Sequence, residues 1–233
     1  MNRLGALFKD DYNFEALTVV ALAMIMPMGI SAVLLGLNIT KLVGLTVLGV
    51  EAVMFPLWLM TNSIREAGRT LEKRMFAGWL PTVQCLRLRD HSGYEVNARR
   101  DKLQQLSGVT LLNKRQEQAR PNEADERIRH AVDIVKEKMR DPERFMLLRR
   151  ELKAYGFWRN SLAVRRWALL IALSGAVVSV VFLIASSSPA LPLMALVVNL
   201  LACVYWQFIV REQCVIEAAE RYKDQFFKSL MTL

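Results

Sequence analysis

ALLIALSGAVVSVVFLIA (Ala168–Ala185) is followed, after the seven-residue link SSSPALP, by LMALVVNLLACVYWQFIV (Leu193–Val210). Neither stretch holds a Lys, Arg, Asp or Glu. As helices rising 1.5 Å per residue, each reaches roughly 27 Å, close to the roughly 30 Å of hydrocarbon in a bilayer. Two such segments joined by so short a link read as a transmembrane hairpin. Ala16–Gly36 and Leu42–Met60, separated by residues 37–41, repeat the pattern near the start of the chain. The expected fold is therefore all-α: an integral membrane four-helix protein, built as two transmembrane hairpins with a helical cytoplasmic domain inserted between them.

Charge separates along the chain in the same way. Of 31 Lys and Arg, 24 fall between Asn62 and Arg166, against 14 of the 22 acids, so that segment carries +10 and the remainder is nearly neutral. The links between paired spans hold one basic residue, Lys41, whereas Arg65, Arg69, Arg159, Arg165, Arg166 and Arg211 flank the opposite ends. The positive-inside rule then places both termini and the insert in the cytoplasm of a multi-pass protein of the bacterial inner membrane. Four segments are expected: 1–61 with the first hairpin, 62–166 as the basic insert, 167–210 as the second hairpin, and 211–233 as a cytoplasmic C-terminal helix. Cys85, Cys203 and Cys214 have neither the spacing of a zinc site nor that of a disulfide framework. No metal and no cofactor are expected.

Within the insert, Thr61–Gly78 continues the second span, and Pro81-Thr82 breaks it ahead of a short helix through Cys85, Leu86 and Leu88. His91 to Pro121 reads as looser chain. Asn122 is placed to cap a helix with Ile128, Val132, Val135 and Met139 on one stripe, and Asp141-Pro142 to start another carrying Phe145, Leu148, Leu152 and Tyr155 as far as Gly156. Beyond Arg211, helical character persists, with Val215, Ala219, Tyr222 and Phe226 on one side. Small residues four apart (Ala172 and Ala176, Gly175 and Ser179) suit close helix approach in lipid. Trp158, Trp167 and Trp206, beside Arg159, Arg165 and Arg166, read as an anchor at the level of anionic lipid headgroups.

Glu51 stands at the middle of the second span, where an acid costs about 2.5–3.5 kcal/mol on insertion scales. Asn199 is its candidate partner, since the two lie roughly 13 and 9 Å from the external links. An interhelical hydrogen bond and an ion or proton site are both open readings of that pair. No catalytic residues are assigned: the two histidines, His91 and His130, are far apart, and no phosphate loop or HExxH occurs. Basic residues alternate with acids along the insert, as on a solvated helix face, so direct nucleic-acid binding is not expected.

Gly78 to Asp90 reads GWLPTVQCLRLRD. It resembles the W-G-G-P-P-T-T-x-L-L-R-H-x-D stretch of an uncharacterised family of bacterial four-span membrane proteins. REAGRTLE at Arg65–Glu72 is similar to that family's R-D-A-G-K-x-L-E, and YGFWRN at Tyr155–Asn160 to its Y-G-F-R-R-N. Leu80 and Leu88 stand where the family has a small residue and a histidine. The resemblance implies the same architecture and marks Trp79, Pro81, Thr82, Arg87, Arg89 and Asp90 as a cytoplasmic motif. Its arginines are suited either to a phosphate or a partner's carboxylate, or to an internal salt-bridge network.

The expected function is that of a non-enzymatic sensor or effector that oligomerises in the membrane and couples a cytoplasmic protein partner to it. Antiphage defence is one compatible setting. The alternative is an oligomeric ion channel or transport protein using the intramembrane acid Glu51.

Overall fold

A computed structural model of the chain describes residues 11–36 and 48–233, with side chains described for 12–36 and 59–233. Among these residues the secondary structure is helical, without a strand. Helix α1 (Phe14–Leu34) opens with a π-helical turn, Phe14–Thr18. Then come α2 (Leu48–Met75), α3 (Pro81–Gln84), α4 (Tyr94–Ser107), α5 (Lys114–Ala119), α6 (Pro121–Lys138), α7 (Met146–Ala185), α8 (Ala190–Ile209) and α9 (Glu212–Met231). Of the described helices, α1, α7 and α8 are long and apolar enough to cross a membrane. Residues 37–47, and with them the start of the second expected span, lie outside the described residues.

The chain divides into two compact units, Met1–Leu71 with Gly156–Val215, and Glu72–Tyr155 with Ile216–Leu233. In the first, α8 packs along α1. Leu17, Val20 and Met24 on α1, Ile64 on α2, Ala168 on α7 and Trp206 on α8 belong to one buried cluster. Glycine allows α7 to be approached closely at two places. A Cβ on Gly156 would sit 2.8 Å from the Tyr12 hydroxyl and 2.9 Å from Ala16 Cβ. One on Gly68 of α2 would sit 2.0 Å from Asn160 Oδ1. The small residues picked out on α7 are turned inward: Ala172, Gly175, Ala176 and Ser179 are all buried. The outward side is the reverse of a water-soluble surface, with Val33, Val177, Ile184 and Leu201 each at least 64% exposed. Packing that uses small residues inside and large aliphatic ones outside is the arrangement hydrocarbon favours.

The second unit has an ordinary apolar core. Ile128, Val132, Val135 and Met139 form the expected stripe on α6 and are buried, with α3, α4 and α5 packed on that helix. Helix α9 contributes Ala219, Tyr222 and Phe226, and the Tyr222 ring stacks on Tyr155 at 6.4 Å. Truncating a fully buried phenylalanine such as Phe226 costs roughly 3–5 kcal/mol.

Several local expectations are corrected. His91–Pro121 is not loose: it holds α4, closed by Gly108 in the left-handed conformation (φ 72°), and α5, opened by an Asn113–Gln116 capping box. Pro81 begins a helix rather than only ending one, and the short helix covers Pro81–Gln84, not Cys85–Leu88. Arg120, not Asn122, precedes α6, because Pro121 takes its first turn. Gly156 does not stop the helix before the third span; α7 runs unbroken for 40 residues. The fourth span does not continue straight on. It ends in a π-turn, Tyr205–Ile209, and an extended Val210 before α9.

Candidate functional site

The motif residues converge in the second unit on a buried polar network. Leu80 is extended (ψ 154°) and delivers Pro81 to the first turn of α3, whose end the chain leaves through turns to Arg87 and Arg89. Gln84 fixes the bend by donating to the carbonyls of Trp79 (2.7 Å) and Phe76 (3.1 Å). Arg87 then grips Asp125 on α6 with two hydrogen bonds, Nε to Oδ1 at 3.0 Å and Nη2 to Oδ2 at 2.8 Å. Arg89 Nη2 reaches the same carboxylate at 2.7 and 2.8 Å. Asp125 is 3% exposed. Asp90, half exposed, stands 3.6 and 3.9 Å from the two guanidiniums. The hydrogen bonds to Asp125 hold the Arg89 guanidinium above its ordinary pKa.

A second buried pair backs the first. Arg100 on α4 donates to Glu117 on α5 at 2.7 Å, and to the Leu86 and Leu112 carbonyls at 2.5 Å. Glu117 is fully buried, and its other oxygen accepts the Arg89 amide at 3.2 Å. Burial pulls the Arg100 guanidinium below its ordinary pKa, with Glu117 opposing the shift. Three arginines and two buried acids thus tie the chain after α3 to α4, α5 and α6. Arginine suits the task, because its planar fork satisfies a carboxylate and backbone carbonyls at once.

The remaining motif residues are distributed around this network. Trp79 lies under the Arg129 guanidinium, 5.4 Å from its ring. Pro81 and Thr82 are buried, and Thr82 Oγ1 has no hydrogen-bond partner. Cys85 donates to the Thr82 carbonyl, and burial pushes its thiol up to about 11. The arginines singled out for a phosphate are therefore already ion-paired with Asp125, which favours the salt-bridge network among the readings of the motif, although Arg89 Nη1 is buried without a partner.

In the first unit Asn199 is fully buried where three helices meet. Its Nδ2 donates to Ser31 on α1 and to the Ala195 carbonyl, and Ser31 donates to the Pro27 carbonyl at 2.8 Å. A Cβ on Gly175 of α7 would come 2.3 Å from Asn199 Oδ1, an atom left without a hydrogen-bond partner. The Glu51 side chain, the partner expected for Asn199, lies outside the described residues.

The headgroup set divides into buried and exposed members. Arg159 is buried and directs Nε and Nη2 to Asn160 Oδ1, while Asn160 donates to the Ala16 carbonyl at 2.7 Å. Its burial and these bonds weigh against a headgroup role for Arg159. Trp206 is likewise a core residue, 1% exposed, and not an interfacial anchor. Arg165 bonds Gln207 and the Val210 carbonyl, while Arg166 and Trp167 are exposed.

No family model, curated protein or solved structure matches the chain.

The residues missed from sequence are the acceptors Asp125 and Glu117 and the buried donor Arg100. Asp125 reads as an early-turn acid of α6, yet it shares the helical stripe of Ile128, Val132 and Val135. Arg100 likewise sits one turn before the buried Leu103. A charged residue in phase with an apolar stripe is the signal of a buried pair.

Proposed function

We propose that the chain is a non-enzymatic four-span protein of the bacterial inner membrane. Both termini and the basic second unit face the cytoplasm, and the protein works as an oligomeric sensor or effector coupling a cytoplasmic protein partner to its spans. The resemblance to the four-span family supports the architecture. The observation that carries the coupling is helix α7: residues 146–155 of this unbroken helix belong to the second unit and residues 156–185 to the first. A displacement imposed on the network-bearing unit has a continuous hydrogen-bonded rod through which to act. Exposed Arg166 and Trp167 serve the boundary with anionic lipid. Antiphage defence is one setting compatible with such a device.

A reading as an oligomeric ion channel is favoured by one feature, the unpartnered Asn199 Oδ1 buried inside an apolar helix. Purified protein in lipid vesicles separates the two. Partner-independent, ion-selective flux that disappears in Glu51→Gln while the oligomer persists establishes the channel. Tight vesicles, with light scattering showing an oligomer and phage plating reduced by the native protein but not by Asp125→Ala at equal membrane levels, support the sensor. A monomer in mild detergent with no effect on plating refutes it.

A further inference from the structure

At the start of the 40-residue helix α7 the second unit carries an open groove of about 340 Å³. Its walls are residues 143–148, Gln225, Lys228 and Ser229 of α9, and Thr232 just beyond that helix. Asp141 satisfies the first amides of this turn: its Oδ1 accepts from the amides of Glu143 (3.0 Å) and Arg144 (3.4 Å), and its carbonyl from that of Phe145 (3.1 Å). The next three amides, those of Met146, Leu147 and Leu148, have no backbone acceptor among the described residues, and the same residues line the groove. A helix start with free amides carries a partial positive charge and is suited to an anion.

A second observation at the same place points to a ligand. Ser229 is 6% exposed and lines the groove, and its hydroxyl makes no hydrogen bond among the described residues. The buried helical serines Ser31 and Ser179 donate to the carbonyl four residues back, whereas Ser161, also buried in a helix, has no partner either. The Ser229 side chain thus opens only onto the groove, where its hydroxyl is free to donate to a bound acceptor. The charges agree. Arg144 and Lys228 form no ion pair among the described residues, and Glu143 is the one acid in the lining. The C-terminal carbonyls of α9 oppose an anion in part, although Ser229 O accepts from Thr232 and Leu230 O from Leu233, and Lys228 stands in that last turn.

We propose that this groove binds a phosphate-type oxyanion carried by a small soluble molecule. The free amides of α7 and the Ser229 hydroxyl donate to its oxygens, and Arg144 and Lys228 balance its charge. The volume lies at the lower end for small-molecule pockets and exceeds a bare phosphate, leaving Phe145 and Leu148 to face an organic portion. Binding here goes beyond the sensor reading and does not require it.

The test uses the full-length protein in dodecyl maltoside, which contains no phosphate. Inorganic phosphate is titrated against chloride at matched ionic strength, with calorimetry and melting temperature as readouts. Saturable binding is expected, weakened about tenfold or more in Lys228→Ala and in Ser229→Ala, and tightened in Glu143→Gln, where a negative charge leaves the rim. The conservative Ser229→Ala keeps the packing, and a gain in Glu143→Gln cannot come from misfolding. Absence of saturable binding, or equal affinity in all the variants, overturns the proposal. So does binding seen only with phosphatidate vesicles, which makes the source a lipid.

Discussion

Asp125→Ala removes the acceptor of four hydrogen bonds from Arg87 and Arg89. The two arginine side chains are only 15% and 16% exposed, so water replaces Asp125 poorly. Deleting one partner of a buried ion pair costs about 3–5 kcal/mol, because the other charge stays behind. Asp90, at 3.6 and 3.9 Å, is close enough to take up part of that charge, which places the expected loss near the lower end, about 3 kcal/mol. Asp90→Ala is the internal control: a half-exposed, poorly aligned pair contributes about 0–1 kcal/mol. With two compact units the chain does not unfold in one step, so hydrogen exchange on peptides covering residues 85–90 and 121–127 is the appropriate assay. Asp125→Ala should speed exchange there by about 100-fold, and Asp90→Ala by less than about tenfold. Equal effects from the two substitutions would refute the assignment of Asp125 as the centre of the network.

Gly175→Ala places a Cβ within 2.3 Å of Asn199 Oδ1, so it should lower the melting temperature in detergent. Adding Asn199→Ala should recover part of that loss, whereas additive losses contradict the three-helix junction. Burial raises the Cys85 thiol from 9.0 to about 11, so the protonated form is retained in the fold across that interval. Its contribution to stability is complete below about pH 9 and is lost as pH rises through about 11. At pH 8 its alkylation, followed by peptide mass spectrometry, should be about 100-fold slower than that of an unperturbed thiol. The rate should rise about tenfold per pH unit, and a rate at pH 8 equal to that of the unfolded chain counts against the burial. In brominated lipids Trp167→Phe should remove more of the tryptophan quenching than Trp206→Phe, since Trp167 is exposed and Trp206 buried. The opposite order would put Trp206 back at the lipid boundary.

The sequence reads best where hydrophobic periodicity dominates. Ile128, Val132 and Val135, and Val215, Ala219, Tyr222 and Phe226, are all buried as their spacing requires. Three of the four apolar segments emerge as helices α1, α7 and α8 for the same reason, and the fourth, Leu42–Met60, begins outside the described residues. What was hidden depends on contacts distant in sequence. Gly156 carries a local stop signal, but the helix passes through it because Ala16 and Tyr12 need the space. Trp206 and Arg159 look interfacial from their neighbours, yet packing within the first unit buries them. The motif arginines disclose their charge in sequence but not their acceptors, which lie 36 and 38 residues away at Asp125. The Gly108 cap and the Asn113 capping box are local signals, but α4 has little apolar periodicity and α5 is only six residues long, so no stripe reinforces them.

Membrane insertion of α7 and α8 is tested most directly at the turn between them, residues 186–189. In intact bacteria carrying an otherwise cysteine-free chain, Ser187→Cys should react with a membrane-impermeant maleimide, and Glu95→Cys should react only after lysis. Equal labelling of both positions in intact cells, or protection of Ser187→Cys until lysis, contradicts a hairpin that crosses the bilayer with the second unit in the cytoplasm.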